Sequence, residues 1–276
     1  MTVLLGVAHG SRDGASQDVV RELLRKSSLL RPGLRTEAAF VDNASPSVAA
    51  AVAELVQRGV RDVAVVPLML TPASHSKTDI AASVQASRAQ GVRVRYGRPL
   101  GPHPALVEVL ARRLAEAGAV DEPVVLVAGG ALDPDANAQV AATARLLFEG
   151  RRFPSVDVAF ASTARPSVPE ALERLARQGF SRSAVARYFL GPGRLPSAVE
   201  RATEGYDVLL TEPLGAAGEI AGLLLERYDE ALGGDIRMNC DACLYRVPFR
   251  GHEEAVGAPQ RPHPHPDDVP DQAAQR

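Results

Sequence analysis

The property that most restricts the fold of this chain is that it repeats itself. Residues Ala39-Phe40-Val41-Asp42-Asn43-Ala44-Ser45-Pro46-Ser47-Val48 return as Ala159-Phe160-Ala161-Ser162-Thr163-Ala164-Arg165-Pro166-Ser167-Val168. The same register sets Val7-Ala8-His9-Gly10 opposite Val127-Ala128-Gly129-Gly130, Gly59 opposite Gly179, and Leu70-Thr71-Pro72 opposite Leu190-Gly191-Pro192. With a small shift, Pro99-Leu100-Gly101 meets Pro213-Leu214-Gly215. One such match could arise by chance, but several in the same order mark a duplicated unit.

Within each copy short apolar runs alternate with longer helical patterns. Strands are expected at Val3–Ala8, Thr36–Val41, Asp62–Leu70 and Val92–Arg98, then at Val124–Ala128, Val156–Ala161, Ser183–Leu190 and Tyr206–Leu210. Several are valine-rich on consecutive positions, as strands covered on both faces should be. Pro46 is expected to open a helix and Gly59 to follow its end. The pattern predicts an α/β fold of two tandem domains, each a roughly four-stranded parallel sheet with helices on both faces. The boundaries fall at 1–118 and 119–232, followed by an extension over 233–276. Residues 251–276 carry prolines and scattered charge but few large apolar side chains, so this end is expected to be disordered.

Thirty-one basic and 33 acidic residues leave a net charge of −2, and aromatics make up 4%. Neither nucleic acid nor an anionic membrane is favoured as a partner by that balance, so anion binding has to come from a local cluster. The N-terminus lacks a basic region and a small-residue cleavage site, and no apolar run reaches the roughly 20 residues that span a bilayer. A cytoplasmic protein is expected.

In parallel α/β sheets ligands bind beyond the carboxyl ends of the strands. His9 directly follows the first strand, Asp42 the second, and His75 lies a few residues beyond the third. Two imidazoles and a carboxylate on one sheet edge can hold a borderline divalent metal or abstract a proton. The second copy has lost all three: His9 becomes Gly129, Asp42 becomes Ser162 and His75 becomes Leu195. One copy therefore reads as the site and the other as scaffold. Ser11, Arg12, Lys77 and Arg194 could add donors and positive charge to the same cleft. Gly129-Gly130 lacks the spacing of a dinucleotide fingerprint, and no phosphate-binding P-loop sequence is present.

The AHGSR run from Ala8 to Arg12, the strand end Phe40-Val41-Asp42, and Val66-Pro67-Leu68-Met69-Leu70 leading to His75 resemble the class II chelatases. These are the sirohydrochlorin chelatases of the CbiX and SirB type, in their long two-domain form. The resemblance implies insertion of Fe2+ or Co2+ into sirohydrochlorin, in siroheme or cobalamin synthesis, with no organic cofactor and no ATP. It implies His9 and His75 as catalytic metal-binding residues, with Asp42 near the place where some members carry a glutamate. A non-catalytic metal-binding carrier using the same two histidines together with the C-terminal Cys/His segment is the alternative. A histidine phosphatase ranks last, because Ala8 stands where that class needs arginine.

Cys240 and Cys243 form a C-x-x-C pair inside Met238-Asn239-Cys240-Asp241-Ala242-Cys243. Two thiolates at this spacing can chelate a metal or form a redox disulfide. The segment resembles the M-x-C-x-x-C extension of long chelatases, which implies an iron–sulfur cluster. Such a cluster usually needs four thiolates, so a homodimer giving two each, or His252, would complete the set. His263 and His265 in the proline-rich tail could gather metal weakly.

Overall fold

The computed structural model describes residues 2–72, 79–89 and 91–233. The first half runs β1 (Val3–Ala8), α1 (Gly14–Leu30), β2 (Thr36–Phe40), α2 (Val48–Gln57), β3 (Asp62–Pro67), α3 (Ile80–Ala89), β4 (Arg93–Tyr96) and α4 (Pro104–Glu116). The second half repeats the series as β5 (Val124–Ala128), α5 (Pro134–Gly150), β6 (Val156–Phe160), α6 (Val168–Arg177), β7 (Ser183–Arg187), α7 (Arg194–Ala202), β8 (Val208–Leu210) and α8 (Gly218–Gly233). Two four-stranded sheets result, ordered β2-β1-β3-β4 and β6-β5-β7-β8, with every pairing parallel.

The central strands are apolar at every position because both faces are covered. Along β1, Val3, Leu5 and Val7 face α2 and α3, packing with Leu55 and Ile80. Leu4 and Ala8 face the other way, into a core shared with the second half. The second sheet is arranged likewise, with Val125 and Val127 of β5 against Leu172 and Leu175 of α6. Helix starts are fixed by short polar side chains. Asp13 caps α1 through Ala15 N–H, and its repeat counterpart Asp133 caps α5 through Asp135 N–H.

The chain leaves most strands earlier than expected. β3 ends at Pro67 and β7 at Arg187, with Leu68–Leu70 and Tyr188–Leu190 outside the sheets. Those residues stay apolar because they line a cleft, which the apolar run alone cannot distinguish from strand. Pro46 does not open α2 as expected. Ser47 is the cap, accepting from Ala50 N–H, while the Pro46 carbonyl accepts from Phe40 N–H.

The last helix of each half lies on the other half. α8 packs on α1, β3 and β4, whereas α4 packs on α5 and β7. Tyr228 of α8 donates its hydroxyl to the Thr2 carbonyl at 3.0 Å, and Ser27 of α1 donates to the Ala221 carbonyl at 3.1 Å. Arg227, with no exposed surface, donates to the carbonyls of Pro99 and Leu100 and pairs with Glu230 at 2.8 Å. Glu230 in turn receives Arg98 at 2.7 Å. The layer between the two sheets is thus built from α1, α4, α5 and α8 together.

Candidate active site

Both sheets point their carboxyl ends at one cleft of about 1000 Å³. The first half contributes Ala8–Asp13 after β1 and Leu68–Thr71 after β3. The second contributes Ala128–Ala131 after β5 and Tyr188–Ser197 after β7.

His9 is exposed on this surface, one residue beyond β1. Its backbone is fixed, because its carbonyl accepts from Asp42 N–H at 2.8 Å. The next residue has to be glycine. Gly10 adopts φ +97°, and a Cβ there would stand 1.7 Å from the Asp42 carbonyl oxygen. The loop after β1 therefore lies directly on the end of β2. Gly130 repeats the arrangement against the Ser162 carbonyl. Ser11 accepts from Asp13 N–H through its hydroxyl, and its carbonyl accepts from the Gln17 side chain.

Asp42 sits beside this loop through its backbone, but its carboxylate turns to its neighbour. Its two oxygens accept from the backbone N–H and side-chain amide of Asn43, at 2.7 and 2.6 Å. Asn43, which the sequence did not single out, is the residue that lines the cleft. Its φ of 55° turns the chain there, and the side chain's direction follows from that turn rather than from any motif.

Ser11, Arg12 and Arg194 line the cleft together with His9. Both arginines are exposed, and among the described residues neither enters an ion pair. The two halves touch here. Gly193, which precedes Arg194, lies so that a Cβ on it would be 3.7 Å from the Ser11 hydroxyl oxygen. Gly191 approaches Val19 and Ser16 of α1. Two guanidinium groups free to bind carboxylates thus stand beside an imidazole that can bind metal.

His75, Lys77, Cys240 and Cys243 lie outside the described residues. Among those described, no group of three or more His, Cys, Asp or Glu side chains is placed to hold a metal ion. No described helix is long and apolar enough to cross a membrane.

The second half's side of the cleft carries Gly129, Phe189 and Leu195, with the buried Tyr188 behind them. Burial pushes the Tyr188 phenol well above its ordinary range, so it stays protonated and donates to the Leu70 carbonyl at 3.3 Å. The repeat register was the signal that could have found these positions, since it sets Phe189 opposite Met69 and Tyr188 opposite Leu68.

The family described as CbiX matches the chain over residues 3–117 and again over 123–231. A sirohydrochlorin cobaltochelatase of Priestia megaterium is 32% identical over 270 residues, covering 91% of this chain and 87% of that protein. A sirohydrochlorin ferrochelatase of the same organism is 30% identical over 236 residues, covering 81% and 88%. Among solved structures, SirB from Bacillus subtilis with Fe3+ superposes with a TM-score of 0.75 at 28% identity, covering 86% of this chain and 99% of SirB. With each half matched in turn and relatives aligned across both, the chain belongs to the CbiX family.

Proposed function

We propose that the protein inserts a divalent metal into sirohydrochlorin, and that its metal is Co2+ in preference to Fe2+. The observation that carries the activity is the cleft itself: His9 with Arg12 and Arg194 beside it, in a chain of this family. Insertion exchanges the pyrrole N–H protons of the macrocycle for M2+. It needs a loosely held metal and a base near neutral pH. Imidazole supplies both, binding metal through one nitrogen and accepting a proton when the metal has left. The metal must pass to the ring nitrogens, so few protein ligands are wanted. His9 and His75 are assigned this role. Asp42 is the third ligand, its carboxylate exchanging Asn43 for the metal. Arg12, Arg194, Lys77 and Ser11 hold the rim carboxylates of the substrate.

Support for cobalt comes from the reach of the two relatives. A match over 91% of this chain cannot fit within residues 1–233 and so enters the C-terminal extension. The ferrochelatase match, over 81%, needs none of it. The extension carries the Cys240/Cys243 pair, which we assign to an iron–sulfur cluster completed by a second chain. Thiolates of this kind suit the reducing cytoplasm. Iron and acid-labile sulfide in anaerobically purified protein, lost together in Cys240→Ser, would support the cluster; zinc or bare thiols would refute it.

The activity is tested by anaerobic incubation with sirohydrochlorin and each metal in turn, followed by absorbance of the macrocycle. Co2+ should be inserted faster than Fe2+, and His9→Ala should lower the rate about a hundredfold or more. Metal binding with no change in the macrocycle spectrum would identify a carrier instead.

A further inference from the structure

At the positions that repeat His9 and His75 the second half carries Gly129 and Leu195, with no polar side chain at either. A Cβ on Gly129, the counterpart of His9, would meet Leu195 Cδ1 at 3.3 Å and Phe189 Cε1 at 3.9 Å. Both side chains therefore border the space that a side chain on residue 129 would fill. Phe189 and Leu195 are only half-buried, although a purely structural pair would be expected in the core. All three residues line the same cleft as His9. Phe189 is held in place by its backbone, its N–H donating to the Arg187 carbonyl at 3.0 Å and its carbonyl accepting from Leu214 N–H at 2.9 Å.

We propose that Gly129, Phe189 and Leu195 form a platform on which one face of the tetrapyrrole lies, so that metal enters only through the face turned to His9. The inference rests on the chelatase reading above and assigns the substrate's orientation within it. A flat conjugated macrocycle has apolar faces and, in this substrate, an anionic rim. It is best held by an apolar surface under the face and cations at the edge. Arg12 and Arg194 supply the edge. The three platform residues carry no side-chain nitrogen or oxygen and no sulfur, so they offer the metal no axial ligand. A metal entering from the His9 side then leaves with its ring without being gripped from both faces. Gly129 keeps the surface flat, because a side chain there would stand up between Leu195 and Phe189.

The test uses the full chain under anaerobic conditions and two separate titrations, sirohydrochlorin without metal and Co2+ without sirohydrochlorin. Leu195→Asp places a carboxylate on the platform at a position where the fold accepts one, since Leu195 lies in the first turn of α7 and acidic groups favour helix N-termini. Sirohydrochlorin affinity should fall at least about tenfold, through lost apolar contact and repulsion of the substrate's carboxylates. Co2+ affinity should stay at the wild-type value, and Leu195→Met should restore sirohydrochlorin binding to within about twofold. If Leu195→Asp does not fold, Phe189→Ser is read in the same way. Unchanged sirohydrochlorin affinity in a folded platform variant overturns the proposal, as does loss of Co2+ binding to the same extent. His9→Ala separates the two readings. It should bind sirohydrochlorin normally and insert metal at a rate lower by about a hundredfold or more, whereas loss of sirohydrochlorin binding would mean that the ring rests on the other wall. Failure of the wild type to bind sirohydrochlorin would remove the chelatase reading itself.

Discussion

Replacing Gly10 by alanine creates a conflict whose size can be worked out. The residue holds φ +97°, a region that costs a non-glycine residue about 1–3 kcal/mol. Its Cβ would also sit 1.7 Å from the Asp42 carbonyl oxygen and 2.9 Å from the carbonyl carbon. Ordinary carbon–oxygen contacts are about 3.3–3.6 Å, so one backbone segment has to move by about 1.5 Å or more. No side-chain rotation can relieve an overlap with backbone. Moving the loop also endangers the 2.8 Å bond from Asp42 N–H to the His9 carbonyl, worth about 1 kcal/mol. Together these predict a loss of about 3–5 kcal/mol, at the upper end for a single substitution. Gly130→Ala is the internal control, with φ +84° and its Cβ 2.1 Å from the Ser162 carbonyl oxygen. Both variants should shift the urea midpoint by similar amounts. Only Gly10→Ala displaces His9, so only it should weaken the His9-dependent part of Co2+ binding, by about tenfold. A Gly10→Ala protein within about 0.5 kcal/mol of wild type would refute the close approach. Equal loss of Co2+ binding in both variants would refute the assignment of metal to the first half.

Arg227→Met should destabilise by about 2–3 kcal/mol in urea, because it leaves the buried Pro99 and Leu100 carbonyls without their donor while Glu230 keeps its pair with Arg98. Glu219 and Glu230 are held below the ordinary carboxylate range, chiefly by their bonds from Arg112 and Arg98. Their folded pKa values lie below the unfolded one of about 4.3. The stability they add is therefore complete above that pH and is lost as pH falls through the folded values. Hydrogen exchange should show α8 opening before β1 on acidification, and simultaneous opening would count against this. Residues 2–118 expressed alone should self-associate, since α4 then has no second sheet to cover Leu106, Leu110 and Leu114, each buried in the intact chain. A stable monomer by light scattering would show the exchange of helices to be dispensable.

The middle of each strand was legible in the sequence, because a run such as Val63–Val66 is apolar only if both faces are covered. The ends were not, since Leu68 and Leu70 are just as apolar for a different reason, lining a cleft. The site followed a similar division. His9, Ser11, Arg12 and Arg194 could be placed together because chain position relative to a strand end fixes which edge of the sheet a residue occupies. Asn43 could not, because its part depends on the direction in which a side chain leaves the turn, which the order of residue types does not encode, whereas Phe189 was within reach of the repeat register, which sets it opposite Met69. The sequence shows Leu195 only as the counterpart of His75, whereas in the structure it lines the cleft beside Gly129.

The exchange of α4 and α8 was invisible for a related reason, and it links the fold to the chemistry. An amphipathic stripe such as Leu106, Leu110 and Leu114 states that a helix must cover something, but not which sheet. Because α8 lies on the first sheet and α4 near the second, neither half can turn away from the other without uncovering a core. The cleft between His9 and Gly129 is then bounded by helices that the two halves share. That arrangement suits a reaction in which a flat substrate has to be held on one wall at a fixed distance from a metal on the other. It also lets the two copies carry different residues on the two sides of one cleft, as His9 opposite Gly129 does. The second copy is held against the first through α4 and α8 whatever residues it presents to the cleft.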